Sequence, residues 1–230
     1  MFIDAVNKAI TIIFTLDRTF LEIVLLSLEV SGAAILVSVV LGLVITGLLE
    51  FRPFRGKGVI ITLFNTLTGL PPVVVGLALY MALSRSGPLG FMHILYTPVA
   101  MIIAQVILAT PIITALSHAA VTSSGQQVRI TALSLGASNL QSLLTLLKDA
   151  RYGIIASVAA AFGRVMAEIG AVLLVGGNIA HHTRVMTTAI ALEADKGEFE
   201  LAIALGIILL SLSFLVNGVF YMMKRKGAKR

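Results

Sequence analysis

Twenty consecutive residues, from Val30 to Leu49, carry no charge. That is about the length an α-helix needs to cross the hydrocarbon core of a bilayer. A helix satisfies its own backbone donors and acceptors, and this is what lets a polypeptide sit in lipid. The span that contains the run begins near Phe20, and four further segments share its apolar character: 59–83, 94–116, 152–175 and 201–223. Together they predict an all-α, polytopic membrane protein with five transmembrane helices. Composition agrees, because 58% of the 230 residues are hydrophobic and only 12% are charged, whereas soluble domains carry roughly 25% charged residues.

Residues 1–18 are apolar but too short to span, and Asp4 and Lys8 interrupt them. They are expected to form an amphipathic helix lying at the membrane interface. A removable leader is not expected, since no basic residues precede the apolar stretch. Glu22 and Glu29 stand two helical turns apart at the entry of the first span, on one face. In the second span Pro71 and Pro72 follow Gly69, and proline both removes a donor and clashes with the preceding turn. The helix should break there, as a gate hinge or as a static kink. Pro111 is a second kink candidate, in the third span. The fourth span holds Arg164 and Glu168, four residues apart and so expected on one helix face. Either they neutralise each other as an intramembrane ion pair, or Arg164 flanks a path for an anion; the cost of an isolated charge in lipid favours pairing.

One polar stretch, Ile130 to Ile154, interrupts this pattern. It reads as a helical run from Ile130 to Leu135, a turn at Gly136, an amphipathic run from Ser138 to Leu147, and a charged exit at Lys148, Asp149 and Arg151. A glycine between two helical runs allows a left-handed turn without a Cβ penalty. Small neighbours, Ala132, Ala137 and Ser138, leave the backbone approachable by another protein. Eleven Lys and Arg residues fall on one set of loops: Arg52, Arg55, Lys57, Arg129, Lys148, Arg151 and five in the tail 224–230. Only Lys8, Arg18, Arg85, Arg184 and Lys196 fall on the other. The positive-inside rule therefore predicts that the polar stretch and the tail are cytoplasmic and the N-terminus outside. The net charge of +6 thus reads as a topological signal and not as a nucleic-acid surface.

No enzyme constellation is present. Cysteine is absent, which excludes disulfides and thiolate metal sites. His181 and His182 are adjacent and so do not share a face, and no carboxylate stands at a ligand spacing, so they are expected to be a solvated loop pair. The glycines of Gly69 to Pro72 and of Gly176-Gly177-Asn178 lack the lysine of a phosphate-cradling loop, so no cofactor is expected in this chain.

The stretch ITALSLGASNLQSLLTLLKDARYGI resembles the cytoplasmic loop of the membrane subunits of type I ATP-binding-cassette importers. Their pattern is E-A-A, a glycine four residues after the second alanine, and a proline further on. Ala132 and Gly136 stand at the matching positions, while Ile130 and Thr131 replace the first two residues and Asp149 lies near the usual proline. The segment GRVMAEIGAVLLVGGNI, residues 163–179, is similar to the branch carrying molybdate, tungstate and sulfate. TTAIALEADKGEF, residues 187–199, is most similar to tungstate permeases. The resemblance implies a permease subunit, not an enzyme, in a bacterial or archaeal cytoplasmic membrane. Its transmembrane domain would cover 19–223, with a coupling loop at about 118–151 and a basic tail at 224–230. Ala132, Leu135, Gly136, Ala137 and Ser138 would meet a separate ATPase subunit, which binds the ATP. A second copy of the chain would complete the path, and an extracytoplasmic oxyanion-binding protein would deliver tungstate or molybdate. An importer of sulfate or another anion, and an ion-coupled secondary transporter, are the alternatives.

Overall fold

A computed structural model of the chain describes residues 2–15, 17–51 and 54–228. Arg52 and Pro53 of the basic turn and the last two tail residues lie outside the described residues. The described residues form helices and no strand: α1 (Phe2–Thr15), α2 (Arg18–Phe51), α3 (Lys57–Leu67), α4 (Pro72–Leu83), α5 (Pro98–Ser134), α6 (Asn139–Asp149), α7 (Arg151–Met166), α8 (Gly170–Gly176), α9 (Met186–Lys196) and α10 (Phe199–Ala228), with a 3-10 turn at Gly90–Met92. Three helices are long and apolar enough to cross a membrane, within α2, α5 and α10. The pairs α3 with α4 and α7 with α8 are broken, and each is long enough to cross if its two halves count as one span.

The helix boundaries follow from local chemistry. Asp17 starts α2, its Oδ2 accepting the backbone N–H of Thr19 at 3.1 Å and of Phe20 at 3.4 Å. Pro71, in extended conformation, precedes Pro72 at the first position of α4, where a missing N–H costs nothing. Gly136, at φ 85°, ends α5. The Ala137 N–H donates to Ala132 O at 3.0 Å and the Gly136 N–H to Leu133 O at 3.0 Å, which is the Schellman arrangement that satisfies the last carbonyls of a helix. Ser138 then caps α6. Its Oγ accepts from the Gln141 N–H at 3.3 Å, and its own N–H donates to Gln141 Oε1 at 2.8 Å.

Two expectations need correction. The run from Ile130 is not a separate short helix but the end of α5, 37 residues long, which passes through Pro111 and the polar segment SHAAVTSSGQQVR without a break. Two of its hydroxyls turn back on their own helix, Thr122 donating to His118 O and Ser123 to Ala120 O, while the Ser117 hydroxyl meets that of Ser157 in α7 at 2.8 Å. Residues 186–196, read as part of a loop, form α9, which Gly197 closes in the left-handed conformation. α10 runs on into the basic tail, to Ala228.

The chain divides into two compact units, each assembled from discontinuous segments because α2, α5, α7 and α10 contribute to both. The first comprises residues 1–34, 71–106 and 164–215; in it α4 packs along α8. The second comprises 35–70, 107–163 and 216–230 and has a core of Val121, Leu146 and Ala150, flanked by Val128, Leu147 and Ile154. Gly125 makes that core possible, since a Cβ there would come 2.5 Å from Leu146 Cδ1. Many large apolar side chains point outward, among them Leu36, Leu48, Phe214 and Leu215. In water such a surface would be a liability; against lipid it is neutral.

Candidate functional site

The second unit presents the turn between α5 and α6. Leu135 is 83% exposed at its tip, and Ile130, Leu133, Leu140 and Leu144 are exposed around it. Ala132, Gly136, Ala137 and Ser138 supply the bonds that shape the turn, so the five residues singled out in the sequence are one structural feature. The apolar face that α6 turns inward is seated by Leu146, 2% exposed, in the space left by Gly125. The result is a capped turn with an apolar, exposed tip.

A neighbouring cluster escaped the sequence reading. Arg129 Nη1 and Nη2 donate to the carbonyls of Glu50 at 2.9 Å and Phe51 at 3.2 Å. Glu50 Oε1 accepts from Lys57 Nζ at 3.2 Å, and His118 Nδ1 stands 2.7 Å from the same oxygen, close enough for an ion pair but poorly aligned for a hydrogen bond. The spacing of 118, 122, 125 and 129 on one stripe of α5 was the signal that could have found it.

In the first unit the expected pairing of Arg164 with Glu168 does not form. α7 ends at Met166, so the two residues are not on one continuous helix and the four-residue spacing loses its meaning. Arg164 is exposed, whereas Glu168 is 6% exposed. Glu168 Oε1 instead accepts the Ala171 N–H at 2.9 Å, at the start of α8, and Glu168 O accepts from Thr187 Oγ1 at 2.9 Å. Glu168 also lines a cavity of about 10 Å³ with Ser27, Ser31 and Gln105, room for about one water molecule. Gln105 is 3% exposed and its Oε1 has no protein partner. Pro71 and Pro72 stand at the break between α3 and α4.

His181 faces a carboxylate of α2. Its Nδ1 lies 2.6 Å from Glu22 Oε2, and Glu22 Oε1 takes Arg18 Nε at 3.0 Å. Among the described residues no cluster of three metal-ligating side chains exists. Glu22, Glu29, His181, His182 and Arg184 line one cavity of about 250 Å³.

Long apolar helices, two broken spans and a capped helix–turn–helix with an exposed apolar tip define a membrane permease of the type I ATP-binding-cassette class. The fold agrees with that of a bacterial ABC transporter involved in the import of the acidic polysaccharide alginate, with a TM-score of 0.78 over 96% of this chain and 83% of the other, at 17% identity. Residues 20–228 match the binding-protein-dependent transport system inner membrane component family, and the chain belongs to it. It is 46% identical to a probable anion ABC transporter permease protein of Haloferax volcanii, over 89% of this chain and 90% of the relative. It is 36% identical to the tungstate uptake system permease protein TupB of Peptoclostridium acidaminophilum, over 97% and 98%. Membership in this family sets aside the ion-coupled secondary transporter and implies a separate ATPase and a substrate-binding protein.

Proposed function

We propose that this chain is the permease subunit of an ATP-driven importer of an oxyanion, and that the oxyanion is tungstate. The observation that carries the reading is the gradient of similarity. Permeases named for tungstate uptake are 35% and 36% identical over nearly the whole chain, while those named for molybdenum or sulfate transport are 26 to 28% identical. Two copies form the path, with N-termini outside and tails in the cytoplasm, and α1 lies along the interface. An ATPase subunit docks on each exposed turn at Leu135 and Gly136. When ATP closes the ATPase pair, the docked turns act as levers and the bundles switch from inward-open to outward-open; hydrolysis resets them. The chemistry belongs to the ATPase, and no cofactor resides in this chain.

Arg164 supports an anion path. Its exposed guanidinium sits about twelve residues into the fourth span, and it forms no ion pair among the described residues. A charge facing lipid at that depth costs at least about 2.5 kcal/mol, so the side chain requires an aqueous path or a partner. A path carrying a dianion supplies both water and a counter-charge.

The test is reconstitution of the chain in proteoliposomes with the ATPase and binding protein that co-purify with it. Tungstate uptake dependent on ATP, with molybdate as a weaker competitor and sulfate as none, is the expected result. Uptake that proceeds equally without ATP, or that sulfate blocks as well as tungstate does, overturns the reading.

A further inference from the structure

The last turn of α2 ends in a knot of charged side chains that the transport cycle above does not use. The last four carbonyls of a helix have no donor within it. Arg129 of α5 supplies donors to two of them, at Glu50 and Phe51, and places its positive charge at the negative end of the α2 dipole. The Glu50 side chain, 11% exposed, is buried deeply enough that an unpartnered carboxylate there would be costly. Lys57, the first residue of α3, and His118 of α5 face it. The end of α2 is therefore tied to α5 through Arg129, the start of α3 is tied to the end of α2 through Lys57, and His118 stands beside the same carboxylate.

The same stretch of α5 carries Val121 and Gly125, against which Leu146 of α6 is seated. A cavity of about 190 Å³, lined by Glu50, Thr122, Arg129 and Leu146 among others, lies between that seat and the end of α2. Packing does not fill this gap, so at the very end of α2 the hydrogen bonds of Arg129 make the link to α5, while one turn further back Thr46 Oγ1 reaches Thr114 O at 3.4 Å. Pushing α6 away from α5 would unseat a fully buried leucine, whereas moving α6, α5 and the end of α2 together breaks nothing.

We propose that Arg129, with Glu50, is the positioning residue that makes α6, the end of α2 and the start of α3 move as one body when the turn is displaced. The inference rests on the reading of the α5–α6 turn as the ATPase-docking surface. Arg129 does not touch substrate or nucleotide. It converts displacement of the turn into displacement of α2 and of α3, the first half of a broken span. Two donors in a fixed planar fork set the direction of α2 as well as its distance, whereas the rotatable donors of a lysine ammonium do not fix that direction.

Arg129→Met, Arg129→Lys and Glu50→Gln would be compared in proteoliposomes containing the co-purified ATPase, reading retained ATPase, ATP hydrolysis and tungstate taken up per ATP. All three variants are expected to keep the ATPase bound and hydrolysing, because Arg129 lies away from the exposed tip. Uptake per ATP should fall about tenfold in Arg129→Met, and by less in Arg129→Lys and Glu50→Gln. If Arg129→Met inserts poorly, the other two variants, which keep a donor or an acceptor in place, carry the test. Wild-type uptake per ATP in the inserted variants overturns the inference, as does a loss that only tracks the amount of protein. A wild-type chain that neither retains an ATPase nor shows ATP-dependent uptake overturns the functional reading instead, and that result is seen before any variant is made.

Discussion

Gly136 separates what the docking turn needs for its own shape from what a partner needs of it. At φ 85° it occupies the left-handed region, where a residue with a Cβ pays about 1–2 kcal/mol and asparagine pays less. A Cβ built there meets no atom within 4 Å. Within the chain, then, alanine and tryptophan cost the same backbone strain despite their difference in size. Gly136→Ala and Gly136→Trp should each weaken the turn by about 1 kcal/mol, a factor of about five in its population, and Gly136→Asn by less. None of the three should deplete the protein from the membrane. At the partner's surface they diverge, because tryptophan adds bulk at the base of the exposed Leu135 tip. Binding of the ATPase to purified permease should weaken about fivefold for alanine and about thirtyfold or more for tryptophan, with uptake falling in the same order. A tryptophan variant that binds the ATPase as well as the alanine variant does would refute the placement of this turn in the docking surface.

Leu146→Ala should destabilise the α5–α6 packing by about 2–5 kcal/mol, read as a lower unfolding midpoint in detergent, because it empties the seat beside Gly125. Glu168→Leu should cost about 1–3 kcal/mol and lower abundance, since the buried Ala171 N–H loses its acceptor, whereas Glu168→Gln keeps an acceptor and should be near wild type. Arg164→Met should insert normally yet lose tungstate uptake, and combining it with Glu168→Leu should restore neither that uptake nor the abundance lost in Glu168→Leu alone; a double variant more abundant than Glu168→Leu would restore the ion pair. Single cysteines at 55 and 138 should resist an impermeant thiol reagent applied from outside, while those at 85 and 195 should react. Labelling at 138 from outside would sink the orientation.

Apolar spans and turn chemistry were legible in the sequence because each is fixed within a few residues. The charge-free run to Leu49, the proline pair after Gly69 and the glycine after the helical run at Ile130 all mark features that the fold contains. What stayed hidden depends on residues far apart or on a break that composition does not mark. Nothing in GRVMAEIGAV announces that α7 stops at Met166, because no proline stands there and alanine and glutamate both favour helix. The break exists because Glu168 finds a backbone donor at Ala171 and a hydroxyl at Thr187, a partner nineteen residues away. Arg129 and Glu50 lie seventy-nine residues apart, and α9 is closed by a glycine inside a stretch whose polarity reads as loop.

The polar side chains of the first unit sort into those consumed by the backbone and those left free, and this bears on where an anion can pass. Glu168 caps α8, Thr183 donates to the Gly176 carbonyl, Asn178 donates to the Thr188 carbonyl, and Ser27 Oγ accepts the Met186 N–H. The Ala171 N–H, the Met186 N–H and the Gly176 carbonyl are groups exposed by a helix end, which in lipid have no water to turn to. A hydroxyl or carboxylate spent in this way cannot also exchange its bond with a moving ion without opening the helix end it closes. Dry polar knots therefore mark the fixed parts of such a bundle. The path has to be lined by groups whose loss leaves the fold intact, and among the ionisable residues of the fourth span Arg164 meets that condition while Glu168 does not.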